Sequence, residues 1–335
     1  ESVRSLRDVP GYANSAMDGY AVRGADLAGG PTRLRVVGVI PAGAALPLPE
    51  IRVGEAVKIM TGGAVPASAD TVVRVEDTDA GSDVVEIRVP PKPGANIRQA
   101  AEDVAVGATV LERGRRLSPA DVGLLASVGR TFVQVHRRPT VAIVSTGDEL
   151  VEADEQVTPG RVVNSNAYAL AAAVAEAGAV PVVLPIARDT PESIRAVFAA
   201  AARHDVILST GGVSVGEFDY VKSVMDELGV KRLFWKVAQK PGKPLTFGTL
   251  GSSVLFGLPG NPVSSLVCFY LYARPALRRM AGHEAIHLAF ASATLAEDLR
   301  KADGMTEFVR VRLEHRDGGL VARSTGTQSS GVLSS

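Results

Sequence analysis

Between Thr140 and Met280 short β-branched runs alternate with stretches of helical periodicity, and this limits the possible folds more than any other feature of the chain. Residues 140–144, 180–185 and 205–208 read as buried strands. Residues 165–177 read as an Ala/Leu helix closed by Gly178, and Thr190-Pro191-Glu192 opens a second helix running to about Arg203. Residues 220–228 have helical spacing and stop at Gly229; 233–237, 244–247 and 254–257 read as strands, and 263–280 as a long helix. Such alternation requires right-handed crossovers and a mostly parallel sheet covered on both faces.

In a parallel sheet the carboxyl ends of the strands share one edge, where ligands bind. Four predicted strand ends here carry polar residues. They are Ser145-Thr146-Gly147-Asp148-Glu149, Arg188-Asp189-Thr190, Ser209-Thr210-Gly211-Gly212-Val213-Ser214-Val215-Gly216-Glu217-Phe218-Asp219, and Gly257-Leu258-Pro259-Gly260-Asn261-Pro262-Val263-Ser264-Ser265. Paired glycines let a ligand approach the backbone closely, although a tight turn whose Asp219 caps the next helix uses the same residues. Asn261 is a good N-cap and Pro262 a good first helical residue, so the free N–H groups that follow form a candidate anion site. A stiff, well-capped loop is the alternative. Lys236 precedes Lys240-Pro241-Gly242-Lys243-Pro244, where two prolines limit the backbone and hold Lys240 and Lys243 apart for a phosphate or tetrahedral oxyanion. Glu149, Asp189 and Asp219 suit a hard divalent ion such as Mg²⁺. Asp189 also reads as an N-cap.

Composition narrows the chemistry. Lys plus Arg equals Asp plus Glu at 36 each, so no global field favours nucleic acid or an anionic membrane. One cysteine, Cys268, excludes an intrachain disulfide and a thiolate metal cage, and it reads as a small buried hydrophobe. His283 and His287 are spaced i,i+4 without an evident third zinc ligand. There is no signal peptide and no apolar run long enough to span a bilayer, which makes the cytoplasm the default. No Ser/His/Asp set is visible, and the P-loop pattern is absent. Glu1 at the start and the Ser/Gly-rich ending suggest that both ends are incomplete.

At 335 residues more than one core is expected. Residues 1–107 read as a β-rich domain punctuated by Gly and Pro, with polar, glycine-bearing stretches at 14–21, 60–63 and 96–103 that on spacing alone read as turns. Residues 108–138 form a linking segment with one helix, capped by Ser118, begun by Pro119 and stopped by Gly129. Residues 139–283 make the α/β domain and 284–335 a C-terminal β domain.

Five motifs in order, spread over nearly the whole chain, resemble the molybdopterin molybdotransferase family, bacterial MoeA and the E domain of gephyrin-type proteins. They are Ser15-Ala16-Met17-Asp18-Gly19-Tyr20-Ala21, Ser145 to Leu150, Thr210 to Glu217 with Asp219, Pro241-Gly242-Lys243-Pro244 and Gly257 to Ser264. The resemblance implies a three-layer α/β/α molybdopterin-binding domain, an N-terminal β domain, a small linking domain and a C-terminal β-barrel. It implies an elongated homodimer, with the site between subunits, that inserts molybdate into adenylylated molybdopterin with Mg²⁺ and releases AMP. An upstream adenylyltransferase is a possible partner. Carried over by motif, Asp18, Thr61, Arg98 and Asp103 serve from the β domain. Glu149, Asp189, Asp219, Lys236, Lys240, Pro259 and Pro262 serve from the α/β domain, with Thr146, Gly211, Gly212, Ser214, Lys243 and Asn261 as further binding residues. Gln328-Ser329-Ser330-Gly331 resembles an oxyanion-contacting segment, with Ser330 as the contact. Ala101 stands where the family usually has glycine, and Gln99 where an arginine often follows Arg98. A related adenylyltransferase shares the α/β domain, but its glycine pair is followed by Thr-Gly rather than Val213-Ser214. A non-catalytic molybdopterin-binding paralogue or scaffold is the other alternative.

Overall fold

The computed structural model describes residues 1–211, 220–301, 303–316 and 318–334. The chain forms two compact units, Glu1–Val135 and His136–Ser335.

The first unit is built on a five-stranded sheet of β1 (Gly19–Val22), β2 (Thr32–Ile40), β3 (Glu55–Ile59), β4 (Thr71–Arg74) and β5 (Val84–Ile87), in the order β4-β1-β3-β2-β5. β1 lies in the interior, antiparallel to both neighbours, and Tyr20, Ala21 and Val22 are fully buried. Helix α1 (Pro119–Ser127) begins as its sequence predicts. Ser118 Oγ accepts from Asp121 N–H while the Asp121 carboxylate accepts from Ser118 N–H, and Pro119 occupies the first turn. Arg115, and then the Ser118 N–H and hydroxyl, lower the Asp121 pKa to about 2.

The second unit holds β6 (Thr140–Ser145), α2 (Ser165–Glu176), β7 (Val180–Val183), α3 (Pro191–Ala201), β8 (Val206–Thr210), α4 (Tyr220–Glu227), β9 (Lys231–Trp235), β10 (Thr246–Leu250) and β11 (Ser253–Leu258). The sheet order is β7-β6-β8-β11-β10-β9. The first four strands are parallel; β10 and β9 add an antiparallel edge, because only Gly251 and Ser252 separate β10 from β11. Side-chain alternation on β6 divides the layers. Val141 and Ile143 pack with Leu170 and Val174 of α2, and Ala142 and Val144 pack with Ile194 and Phe198 of α3 and Val224 of α4. This is the expected α/β/α sandwich. β9 ends two residues before its predicted limit because Lys236 turns into the left-handed region at φ 70°.

The long C-terminal helix runs through α5 (Pro262–Cys268), a π-turn (Phe269–Ala273) and α6 (Arg274–Met280). Pro275 has no N–H for a regular helical bond, and the wider turn just before it accommodates that loss. At the amino ends of β6 and β8 Arg137 makes two 2.6 Å bonds to Asp205, whose Oδ2 also accepts from Thr140 N–H at 2.7 Å. The guanidinium holds the Asp205 carboxyl well below the usual carboxylate range despite its partial burial. The C-terminal part is strand-rich, with a hairpin of β12 (Val311–Arg316) and β13 (Gly319–Ser324) and a short strand, Thr294–Leu295, parallel to β13.

Candidate functional site

A cavity of about 540 Å³ opens at the carboxyl ends of β6, β8 and β11. Thr146 and Glu149 come from the loop after β6, Thr210 and Gly211 from the end of β8, and Pro259, Gly260, Asn261 and Pro262 from the loop after β11. Three of the four predicted strand ends therefore meet, as parallel topology requires. The fourth does not line the cavity but is bonded to the first. Asp148 N–H donates to Asp189 Oδ2 at 3.3 Å, and Asp189 N–H donates to Asp148 Oδ1 at 3.1 Å.

Close backbone approach explains the glycine at the end of β8. Gly211 has φ 85°, and a Cβ there would stand 2.7 Å from Thr146 O. Thr146 N–H donates to Thr210 O, so β6 and β8 are held together at the cavity's edge. Gly212, Ser214 and Asp219 lie outside the described residues.

The loop after β11 departs from the expected capping. Asn261 sits at the N-cap of α5 but makes no side-chain cap bond; its Nδ2 donates to Ser330 Oγ at 2.9 Å instead. Val263 N–H, an expected anion donor, donates to Ser330 O at 3.1 Å. The C-terminal segment thus satisfies part of the helix end that sequence reasoning left open to a ligand. Arg310 organises that segment, donating to the carbonyls of Thr327, Ser329 and Val332. Sequence reading did not single it out, because a lone arginine in a β run carries no local signal.

Of the lysine loop, Pro244 lines the cavity. Lys236 lies 3.8 Å over the Trp235 ring, Lys240 pairs with Glu307 at 3.7 Å, and Lys243 is exposed. The loop rests on a buried network. Gln239 donates to Pro241 O at 2.9 Å and accepts from Tyr272 Oη, while Cys268 Sγ donates to Gly242 O at 3.6 Å. Cys268 is buried, as expected, and burial pushes its thiol up to about 12. Gly242, at φ 104°, has no room for a Cβ beside that sulfur.

The N-terminus of α2 also lines the cavity through Asn164, Ser165 and Asn166, a stretch marked in the sequence only by the helix predicted from Ser165. Thr210 Oγ1 donates to Ser145 Oγ, which donates to Asn164 Oδ1. Asn164 is 2% exposed, and its Nδ2 has no partner among the described residues. A buried donor without a partner is costly, and this one is enclosed by protein beside the cavity rather than open to it.

In the first unit, Thr61 N–H and Thr61 Oγ1 both donate to Asp18 Oδ1 at 2.7 Å, and hold its carboxyl below the usual range in that order of effect. Arg98 lies in a two-residue strand paired with Asn14-Ser15, and Asp103 N–H donates to Val9 O. Ala101 has φ 62°, the conformation a glycine serves without strain. Among the described residues no three His, Cys, Asp or Glu side chains gather to hold a metal.

Three family models match the chain in order: the MoeA N-terminal region (domains I and II) over residues 1–129, a probable molybdopterin-binding domain over 142–279, and the MoeA C-terminal region (domain IV) over 292–335. A molybdopterin molybdenumtransferase from Nostoc is 39% identical over 95% of this chain and 78% of its own length. The chain belongs to the molybdopterin molybdenumtransferase family. The Bacillus subtilis molybdopterin molybdenumtransferase is 36% identical, with coverage of 100% of this chain and 80% of its own. The crystal structure of a molybdopterin biosynthesis MoeA protein from Pyrococcus horikosii superposes with a TM-score of 0.79 at 33% identity, over 98% of this chain and 81% of that one. The matched molybdopterin-binding region contains the whole cavity lining. No helix among the described residues is long and apolar enough to cross a membrane.

Proposed function

We propose that this molybdenumtransferase-family enzyme binds adenylylated molybdopterin in the cavity at the ends of β6, β8 and β11, inserts molybdate and releases AMP. The observation that carries the reading is the cavity itself. Three strand ends, a glycine-tight backbone and the N-terminus of α2 meet inside the region matched as molybdopterin-binding.

Thr146, Gly211 and the α2 N-terminus offer backbone and side-chain donors to a polar heterocycle and its phosphates. Pro259 and Pro262 keep the opposite wall stiff. Lys236, Lys240, Lys243, Arg98 and Ser330 are the groups assigned to anionic parts of the substrates, and Asp18, Thr61 and Asp103 to the reaction as the family resemblance implies. Glu149 and Asp189 supply hard oxygen donors, Glu149 from the cavity wall. That donor set fits Mg²⁺, which takes one or two protein carboxylates and completes its shell with phosphate oxygens and water. A divalent ion held by Glu149 at the cavity wall, with Asp189 and Asp219 as the other assigned carboxylates, would neutralise phosphate charge. A homodimer in the cytoplasm, supplied by an upstream adenylyltransferase, belongs to the same reading.

Hydrogen exchange tests the binding step. Adenylylated molybdopterin should protect the amides of residues 146–150 and 164–166, and free AMP should protect them less. Unchanged exchange at both stretches under saturating ligand would sink the assignment of the cavity.

A further inference from the structure

The turn that carries Glu149 is held from behind by Arg188, which stands at a polar strand end but in none of the five family motifs. Arg188 Nη1 donates to Leu150 O at 2.9 Å and to Asp148 O at 3.4 Å, the carbonyls on either side of Glu149. Arg161 Nη1 also donates to Asp148 O. Glu149 O accepts from Val162 N–H at 2.8 Å, so three successive carbonyls around this one residue have assigned donors. Arg188 is itself anchored, its N–H donating to Ser193 Oγ at 3.0 Å in the first turn of α3. The loop bearing Arg188 is joined to the loop after β6 through Gly147 N–H to Ala187 O and through the reciprocal Asp148 and Asp189 bonds.

Glu149 lines the cavity and Arg188 does not. An exposed glutamate on a short turn would otherwise sample many directions, and ordering it on ligand arrival costs rotamer and backbone entropy. A guanidinium bonded to both flanking carbonyls removes the backbone part of that cost in advance. We infer that Arg188 is a positioning residue: it fixes the peptide planes around Glu149 so that the carboxylate is presented to the cavity before substrate binds. The inference rests on the reading of Glu149 as a substrate- or metal-facing carboxylate.

The test uses Arg188→Gln, Glu149→Gln and the double variant in the full chain. Arg188 is exposed, so Arg188→Gln should fold and melt close to the parent. Its Leu150 and Val162 amides should exchange about tenfold faster. Its molybdate-dependent AMP release should lose about tenfold or more in kcat with KM for adenylylated molybdopterin little changed. In the double variant the loss should equal that of Glu149→Gln alone, since Arg188 acts through Glu149. Parent-like exchange, or losses that multiply in the double variant, would overturn the assignment. A parent protein that releases no AMP would instead remove the reading of Glu149, and the exchange rates would still decide whether the clamp exists.

Discussion

Gly19→Ala is expected to leave little folded protein. A Cβ at Gly19 would stand 1.9 Å from Val73 O and 2.9 Å from Val73 C, both backbone atoms of the neighbouring β4. No rotamer change relieves such an overlap. β1 cannot move aside either, because β3 holds its other edge and Tyr20, Ala21 and Val22 are fully buried. Overpacking of ordinary side chains costs about 1–3 kcal/mol, and a backbone collision in an interior strand should exceed that, reaching about 4 kcal/mol or more. Since a whole domain is stable by only about 5–15 kcal/mol, the full chain should express poorly or melt at least about 10 °C lower. A Gly19→Ala variant melting with the parent would mean that β1 does not lie against β4. This glycine belongs to the Ser15 to Ala21 motif, so part of that motif answers to sheet packing, while Asp18 one residue earlier is bonded to Thr61.

Gly211→Ala should strike the cavity directly. The left-handed backbone alone costs a non-glycine residue about 1–2 kcal/mol. Contact with Thr146 O at 2.7 Å adds overpacking of about 1–3 kcal/mol and strains the Thr146 N–H to Thr210 O bond that joins β6 to β8. Binding of adenylylated molybdopterin should weaken more than about tenfold, a modest 1.4 kcal/mol against those terms. Gly178→Ala is the matching control. Gly178 has φ 89°, but no atom lies within 4 Å of the added Cβ. It should lower stability by about 1 kcal/mol and leave binding intact. Equal binding in both variants would show that the approach of Gly211 to Thr146 has no part in the site.

Much of this site was readable because parallel topology turns a list of strand ends into a place. Residues 140–144 and 205–208 needed only branching and length to be read as buried strands, and their carboxyl ends then had to share an edge. What escaped was whatever depends on a distant partner. Asn164 stands one residue before the predicted helix and carries no motif signal, yet its side chain accepts from Ser145, nineteen residues earlier. Asn261 was a sound N-cap by type and position, but Ser330 lies close enough to take its amide. Arg188 and Arg310 act through carbonyls, which leave no trace in a motif. Ala101 is the opposite case. Its replacement of the family's usual glycine flagged a position that proves to be left-handed, where alanine carries a strain of about 1–2 kcal/mol.

The central claim is insertion, and AMP release measures it. Purified protein should be mixed with adenylylated molybdopterin and Mg²⁺, with and without molybdate, and both AMP and the ability of the product to activate a molybdenum-dependent apo-enzyme should be followed. AMP release that requires molybdate, together with activation of the apo-enzyme, is the expected result. Tight binding of adenylylated molybdopterin with no molybdate-dependent AMP release would contradict the claim and leave a protein that holds the pterin without completing it.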